Sequence, residues 1–399
     1  MVSTLTAAAI GYRRSRSWFQ RPQLTENNEK RETIMNILEA TCVRRFLGAV
    51  KKAIPYALCL ALAAAGLLAK DMPQRSCTSL FLSAADGTRV FGTNLDYQFS
   101  RGRLYVNPRG ITKQGWSEGT TGTVASWTSK YGNLTFNLAG YQLAWAGMNE
   151  AGLVISTMAL DSTANPPADS RPPLESGFWV QYVLDSCATV TEVRQTDTKV
   201  RMARTVDHYL ISDRSGRCAV IEFLDGQMVC HIGRDLPVSA LTNSEYDHSV
   251  IAWRTGKPLE GDSLVRFGAA ADRVKRYTDS DPVEYAFSAL FAVRREWTAW
   301  SIVFDARSLQ ASFFTRGHPS LKSVSFAGLN FSPTAQTRML DINADLSGDV
   351  TDALVPYSHE DALSHMSAAF KVFTPAMSPK EVDSFLRFLE FGSAVQPKE

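Results

Sequence analysis

The sequence predicts an α+β domain over residues 77–399, with β-sheets sandwiched between helices. Three observations predict it. Two strand pairs turn at Asp-Gly dipeptides, Asp86-Gly87 and Asp225-Gly226. Two amphipathic helical stretches follow, at 264–277 and 284–294. Strand texture then returns at 300–304 and 312–315, ahead of a final helix.

Taken in order, residues 77–85 and 88–97 are rich in β-branched and aromatic side chains and read as a hairpin. A two-residue turn at Asp86-Gly87 pairs Ala85 with Thr88 and sets Cys77 directly across from Asp96. A bulge would slip this by one residue. Strand-like runs follow at 123–128, 134–141 and 152–159. Residues 178–186 (FWVQYVLDS) read as a helix, and Thr191-Glu192-Val193 opens another. The second hairpin joins 218–223 to 227–231 and places Cys230 opposite Ile221 and Cys218 opposite Gly233, which disfavours a Cys218–Cys230 disulfide. Ser378-Pro379-Lys380-Glu381 is a capping-box start for a last helix through Phe391. No internal repeat is visible.

The chain has 399 residues, 45% hydrophobic and 21% charged, which is enough for a sizeable core. Its formal net charge of +2 supplies no field to hold nucleic acid or a polybasic membrane contact. The amino-terminal stretch is different. Residues 1–34 are polar, breaker-rich and arginine-rich, and are expected to be a disordered extension, with Met35 an alternative start. Residues 35–76 read as a signal peptide with a short propeptide. Arg44, Arg45, Lys51 and Lys52 precede an uncharged apolar run at 54–69. That run is short for a membrane span of about 20 residues, so export to the periplasm or outside is expected over a retained anchor. Any membrane contact is then through this segment alone.

Six cysteines are present, of which Cys77, Cys187, Cys218 and Cys230 follow the leader. Four cysteines in an exported domain allow two disulfides, although the apolar contexts of the last three suit buried thiols. No Cys/His spacing suggests a zinc site, and no cofactor is called for. Cutting the chain before Cys77 would give that residue a free amino group titrating near 7.7–8.0, able to serve as a general base beside its own thiol. Nucleophile and base would then reside in one residue. The six histidines, none in a Cys-His motif, would not be needed.

Several stretches carry a family resemblance. Cys77-Thr78-Ser79-Leu80-Phe81 resembles the opening of the amino-terminal-nucleophile cysteine amidases, the choloylglycine hydrolases and penicillin V acylases. Asn94-Leu95-Asp96-Tyr97, Gly147-Met148-Asn149-Glu150-Ala151-Gly152-Leu153, Leu241-Thr242-Asn243-Ser244 and Gly261-Asp262-Ser263-Leu264-Val265-Arg266-Phe267 resemble its further motifs, in order. Trp127-Thr128-Ser129-Lys130-Tyr131-Gly132 and Gln181-Tyr182-Val183-Leu184-Asp185 resemble the Gram-negative branch. The resemblance implies a four-layer αββα sandwich and hydrolysis of a linear amide in a small N-acylated substrate: a penicillin V, an N-acyl homoserine lactone or a conjugated bile salt. It implies that Cys77 is the nucleophile, Asp96 orients its amino group, Asn243 completes an oxyanion hole and Arg266 lies beside the thiol. Tyr97, Trp145 and Ala159 are the candidate substrate-binding residues, and Asn149 reads as a turn cap. Thr93 stands where the family often has arginine. The rival readings are an inactive exported binding protein on the same scaffold and a disulfide-stapled envelope protein. A homo-oligomer is compatible with this reading.

Overall fold

The computed structural model describes residues 76–116, 124–278 and 281–390. The expectations for residues 1–75, including the signal segment, fall outside them. Among the described residues no helix is long and apolar enough to cross a membrane.

Two large sheets dominate. The first has seven strands in the spatial order Ala240–Leu241, Ser76–Ser83, Arg89–Asp96, Thr298–Asp305, Gln310–Thr315, Lys322–Ser325 and Gly348–Asp349. The second has nine, running Gln227–Ile232, Cys218–Leu224, Asp207–Ser212, Val154–Ala159, Ala144–Asn149, Asn133–Asn137, Arg103–Asn107, Arg338–Asp341 and Val355–Pro356. Neighbours are antiparallel except for the last pair of the first sheet.

Side-chain alternation builds the layers. In Ser76–Ser83, Cys77 and Phe81 join a core shared with Leu134, Phe136, Met148 and Val220 of the second sheet. Leu80 and Leu82 point the other way, onto Ala286, Phe287 and Leu290 of the helix Pro282–Val293. The outer face of the second sheet, through Ile155, Tyr209, Ile211 and Phe223, packs on Trp179, Val180 and Val183 of the helix Ser176–Ser186. The helices His359–Phe373 and Pro379–Glu390 add Phe370, Phe385 and Leu386 to that cluster. The result is a helix–sheet–sheet–helix sandwich, as the resemblance implied.

The two hairpins differ in turn chemistry. At Asp225-Gly226 both φ values are positive, 52° and 75°, the geometry of a two-residue turn, and Leu224 pairs with Gln227 as expected. At the first hairpin only Gly87 has positive φ, and Asp86 Oδ1 accepts from the Thr88 amide at 2.8 Å. The loop therefore widens to residues 84–88, and the last pair is Ser83 with Arg89. This corrects the expected register by one residue: Cys77 faces Leu95, and Asp96 faces Ser76. A one-residue slip exchanges faces, so the Cys77 side chain enters the inter-sheet core while Asp96 points to the outer, helical side.

Cys187, Cys218 and Cys230 are free thiols, the first two buried. Cys218 lies in the strand before the turn and Cys230 pairs with Ile221, so no disulfide joins the two.

Candidate active site

The site forms where the edge strand Ala240–Leu241 runs beside Ser76–Ser83 and then turns into residues 242–245. The Cys77 amide donates to Asn243 Oδ1 at 2.7 Å. Asn243 Nδ2 donates to the Ala159 carbonyl at 2.9 Å, which leaves that amide group a second N–H. The Asn243 backbone amide is held by Ser263 Oγ at 2.9 Å.

Arg266 comes from the helix Asp262–Arg276, which packs on the outer face of the first sheet. Gly261, at φ 84°, makes the left-handed entry to that helix. The Arg266 guanidinium donates to the Cys77 carbonyl, to Thr78 Oγ1 at 2.9 Å and to Asn243 Oδ1 at 2.9 Å. Its Nε pairs with Asp262 Oδ2 at 2.7 Å, and Arg295 binds the other Asp262 oxygen. Burial pushes the Asp262 carboxyl up, but these two arginines outweigh it and hold it below its usual range.

Asp96 is fully buried and accepts from Thr298 Oγ1 at 2.5 Å. Its second oxygen, Oδ2, has no hydrogen-bond partner among the described residues. Burial raises the carboxyl to about 6, against the Thr298 hydrogen bond and the charges of Arg266 and Arg295. Thr93, in place of an arginine, joins a buried chain of hydroxyls. Ser79 Oγ donates to Thr93 Oγ1 at 2.8 Å, and Thr93 Oγ1 meets Ser156 Oγ at 2.9 Å. Arg266 meets Cys77 at its backbone carbonyl, where the resemblance implied a place beside the thiol.

A cavity of about 930 Å³ opens at this point, with Ser76, Trp145, Ala159, Asn243 and Arg266 in its wall. Trp145 and Ala159 thus stand where a bound molecule would touch them. Tyr97 does not. It is fully buried, stacked on Phe373 at 5.3 Å between ring centroids, and Phe373 is the ring that reaches the cavity.

The motif residues outside the cavity hold the frame. Asn149 Oδ1 accepts from the amides of Ala151 and Leu153, while its Nδ2 donates to the carbonyls of Leu184 and Cys187 at 2.9 and 2.7 Å. Asp185 is a buried hub, bound by Lys113 Nζ, Trp127 Nε1 and Asn133 Nδ2. Its carbonyl takes the amides of Lys130 and Tyr131, so the two Gram-negative-type stretches meet there.

A second buried network escaped the sequence reading. Glu222 accepts from His208 Nδ1 at 2.9 Å, His231 Nε2 at 3.0 Å and the Tyr246 amide at 3.0 Å. His208 Nε2 donates to the Thr242 carbonyl at 2.6 Å, so this carboxylate anchors both ends of the loop carrying Asn243. Burial would raise Glu222, but the two histidines outweigh it and bring it down to about 2. The available signal was one acid in the apolar run Ala219-Val220-Ile221-Glu222-Phe223.

A helix–sheet–sheet–helix sandwich in which Asn243 takes the Cys77 amide and Arg266 takes both that asparagine oxygen and the Cys77 carbonyl is the arrangement of an Ntn-type amide hydrolase. The sequence pattern of the linear amide C–N hydrolases, choloylglycine hydrolase family, matches residues 77–279, and the chain belongs to that family. It is 26% identical over 287 residues to the penicillin V acylase of Pectobacterium atrosepticum, covering 58% of this chain and 74% of that one. The penicillin V acylase of Agrobacterium tumefaciens superposes with a TM-score of 0.61 at 25% identity, over 71% of this chain and 98% of that one. A variant of the conjugated bile acid hydrolase from Clostridium perfringens shares the fold, with a TM-score of 0.56 at 19% identity, over 68% and 99% of the two chains. The protein is a linear amide C–N hydrolase.

Proposed function

We propose that the chain is exported, loses everything before Cys77, and hydrolyses N-acylated small molecules through the liberated cysteine. The observation that carries this reading is the shared grip on Cys77: Asn243 Oδ1 takes its amide at 2.7 Å while Arg266 binds both that oxygen and the Cys77 carbonyl. Breaking the Ser76–Cys77 bond turns the held amide into an ammonium or amine at the cavity edge. Asp96 Oδ2, without a partner among the described residues, and Asn243 Oδ1 are acceptors for it.

In the reaction the amine takes the thiol proton, and the thiolate attacks the substrate carbonyl. The second N–H of Asn243 Nδ2 and a backbone N–H meet the developing oxyanion, one such donor being worth about 3–4 kcal/mol. The amine leaves with the shuttled proton, and water releases the acid from the thioester. Arg266, bonded to the Cys77 carbonyl, holds the Cys77 backbone in place, and Asp96, paired with Ser76 in the neighbouring strand, supplies negative charge beside the new terminus.

Penicillin V and acyl-homoserine-lactone amides rank ahead of conjugated bile salts. Ala159 presents a methyl group to the cavity, which leaves room for a bulky acyl group. Side-by-side hydrolysis of phenoxymethylpenicillin, a decanoyl homoserine lactone and glycocholate tests this order. Turnover of one or both of the first two, lost in Cys77→Ala, is expected. An exclusive rate on glycocholate would reverse the order, and no turnover of any amide would favour a binding protein on the same scaffold.

A further inference from the structure

One wall of the cavity comes from residues beyond 279, past the segment the family pattern matches. Phe370 and Phe373 of the helix His359–Phe373 and Phe385 of the helix Pro379–Glu390 face the cavity together with Trp116, Leu143 and Trp145. Phe370 and Phe385 stack at 6.2 Å between centroids, and Phe373 is backed by Tyr97 and, edge-on, by Phe99 at 5.8 Å. The polar wall, with Asn243, Ser263 and Arg266, belongs to the loop and helix that follow Leu241.

The aromatic wall is braced on its outer side. His365 Nε2 donates to the Leu138 carbonyl at 3.0 Å, and Gln142 Nε2 to the Leu389 carbonyl at 2.6 Å. Both bonds tie the helices to the segment that carries Leu138, Leu143 and Trp145 of the same cavity. Arg103 grips Asp361 through two bonds of 2.7 and 3.0 Å. His359 sits between Glu390 and Asp383 at 2.8 and 3.0 Å, and Tyr357 donates to Glu390 at 2.6 Å. Side chains fixed in this way form a preorganised surface, which costs little ordering entropy when a ligand packs on it.

We propose that these two carboxy-terminal helices are the acyl-recognition wall of the enzyme, with Phe370, Phe373 and Phe385 selecting substrates whose acyl group is aromatic or a long hydrocarbon chain. The kinetic part of this inference rests on the amide-hydrolase reading. The binding part does not. An acetyl group held at the Asn243 end offers the wall no aromatic or long-chain surface to pack on, so the wall contributes little to it. Apolar pockets of this kind discriminate by about 10–200-fold per group recognised.

The test compares acetyl, phenylacetyl and decanoyl p-nitroanilides on the wild-type protein, on Phe385→Ala and on the milder Phe385→Leu. Phe385→Ala should lower kcat/KM at least tenfold for the two large acyl groups, chiefly through KM, and leave the acetyl substrate within twofold. Phe385→Leu should move the same way by less. Equal changes on all three substrates, or none, overturn the proposal. In parallel, phenylacetate and decanoate are titrated into the wild-type protein and Phe385→Leu by calorimetry, with weaker binding expected in the variant. Binding that weakens as expected in a wild-type protein that hydrolyses nothing keeps the wall and removes the hydrolase reading. Absence of binding by both acids in the wild-type protein overturns the wall itself.

Discussion

Asp96→Asn separates stability from function in opposite directions. The Asp96 carboxyl titrates at about 6 in the folded, uncut chain, against 3.8 for an ordinary aspartate. A raised carboxyl pKa contributes stability that is complete below the unfolded value and is lost as pH rises through the folded one. The gap of about 2 units corresponds to about 3 kcal/mol at 1.36 kcal/mol per unit, lost between roughly pH 4 and 6. Asparagine keeps an acceptor for Thr298 Oγ1 and carries no charge to desolvate. In a Cys77→Ala background, which cannot process itself, Asp96→Asn should therefore raise stability by about 2–4 kcal/mol at pH 8 and change it little at pH 4. Urea unfolding at the two pH values measures the difference. The same substitution in the active chain should abolish hydrolysis, because the ammonium of the cut chain loses its anionic partner. A double variant no more stable than its parent at pH 8, or a gap equal at both pH values, would refute the argument that burial of the Asp96 charge outweighs Thr298, Arg266 and Arg295.

Three further outcomes follow from the same geometry. Asn243→Ala should cut kcat by about 100–1000-fold with a much smaller change in KM, read from steady-state kinetics. Glu222 is held at about 2 against the usual 4.5, so its stabilisation is present above pH 4.5 and is lost as pH falls toward 2. Glu222→Gln should flatten that acid limb by about 3 kcal/mol in urea titrations, and parallel limbs would count against the network. Asn149→Ala removes bonds to two carbonyls and two amides in a buried turn. Thermal unfolding should show a loss of about 2–4 kcal/mol, with kcat/KM per folded molecule retained.

The sandwich was legible because its signals are local. The turn at Asp225-Gly226, the helix after Gly261 and the Ser378–Glu381 capping box each declare themselves within a few residues. The Ser378 amide donates to Glu381 Oε2 at 2.8 Å and the Glu381 amide donates to Ser378 Oγ at 3.4 Å, as the motif requires. The helix Tyr246–Arg254 was missed because its pattern, Tyr-Asp-His-Ser-Val-Ile-Ala-Trp-Arg, buries only Tyr246, Ser249 and Val250. The strand Arg103–Asn107 was missed too, since all five of its residues are buried and show no alternation.

Within the site, Cys77, Asn243 and Arg266 were found through motif order, and the structure brings their atoms together. The Asp96 register was off by one because Asp86 bonds the Thr88 amide, and no propensity rule weighs that against a two-residue turn. The role of Phe370, Phe373 and Phe385 could not be read from sequence. Helical aromatics on a core face look alike whether they meet a sheet or a cavity. The same holds for His208 and Glu222, which are 14 residues apart and meet across a hairpin.

The proposed hydrolysis turns on Cys77 becoming the first residue and its thiol the nucleophile. Intact mass of the purified protein, taken before and after brief iodoacetamide treatment under native conditions, tests it directly. The expected result is a chain beginning at Cys77 that gains one carbamidomethyl group rapidly and loses activity in step. A chain that keeps residues upstream of Cys77, with that thiol inert, would contradict it.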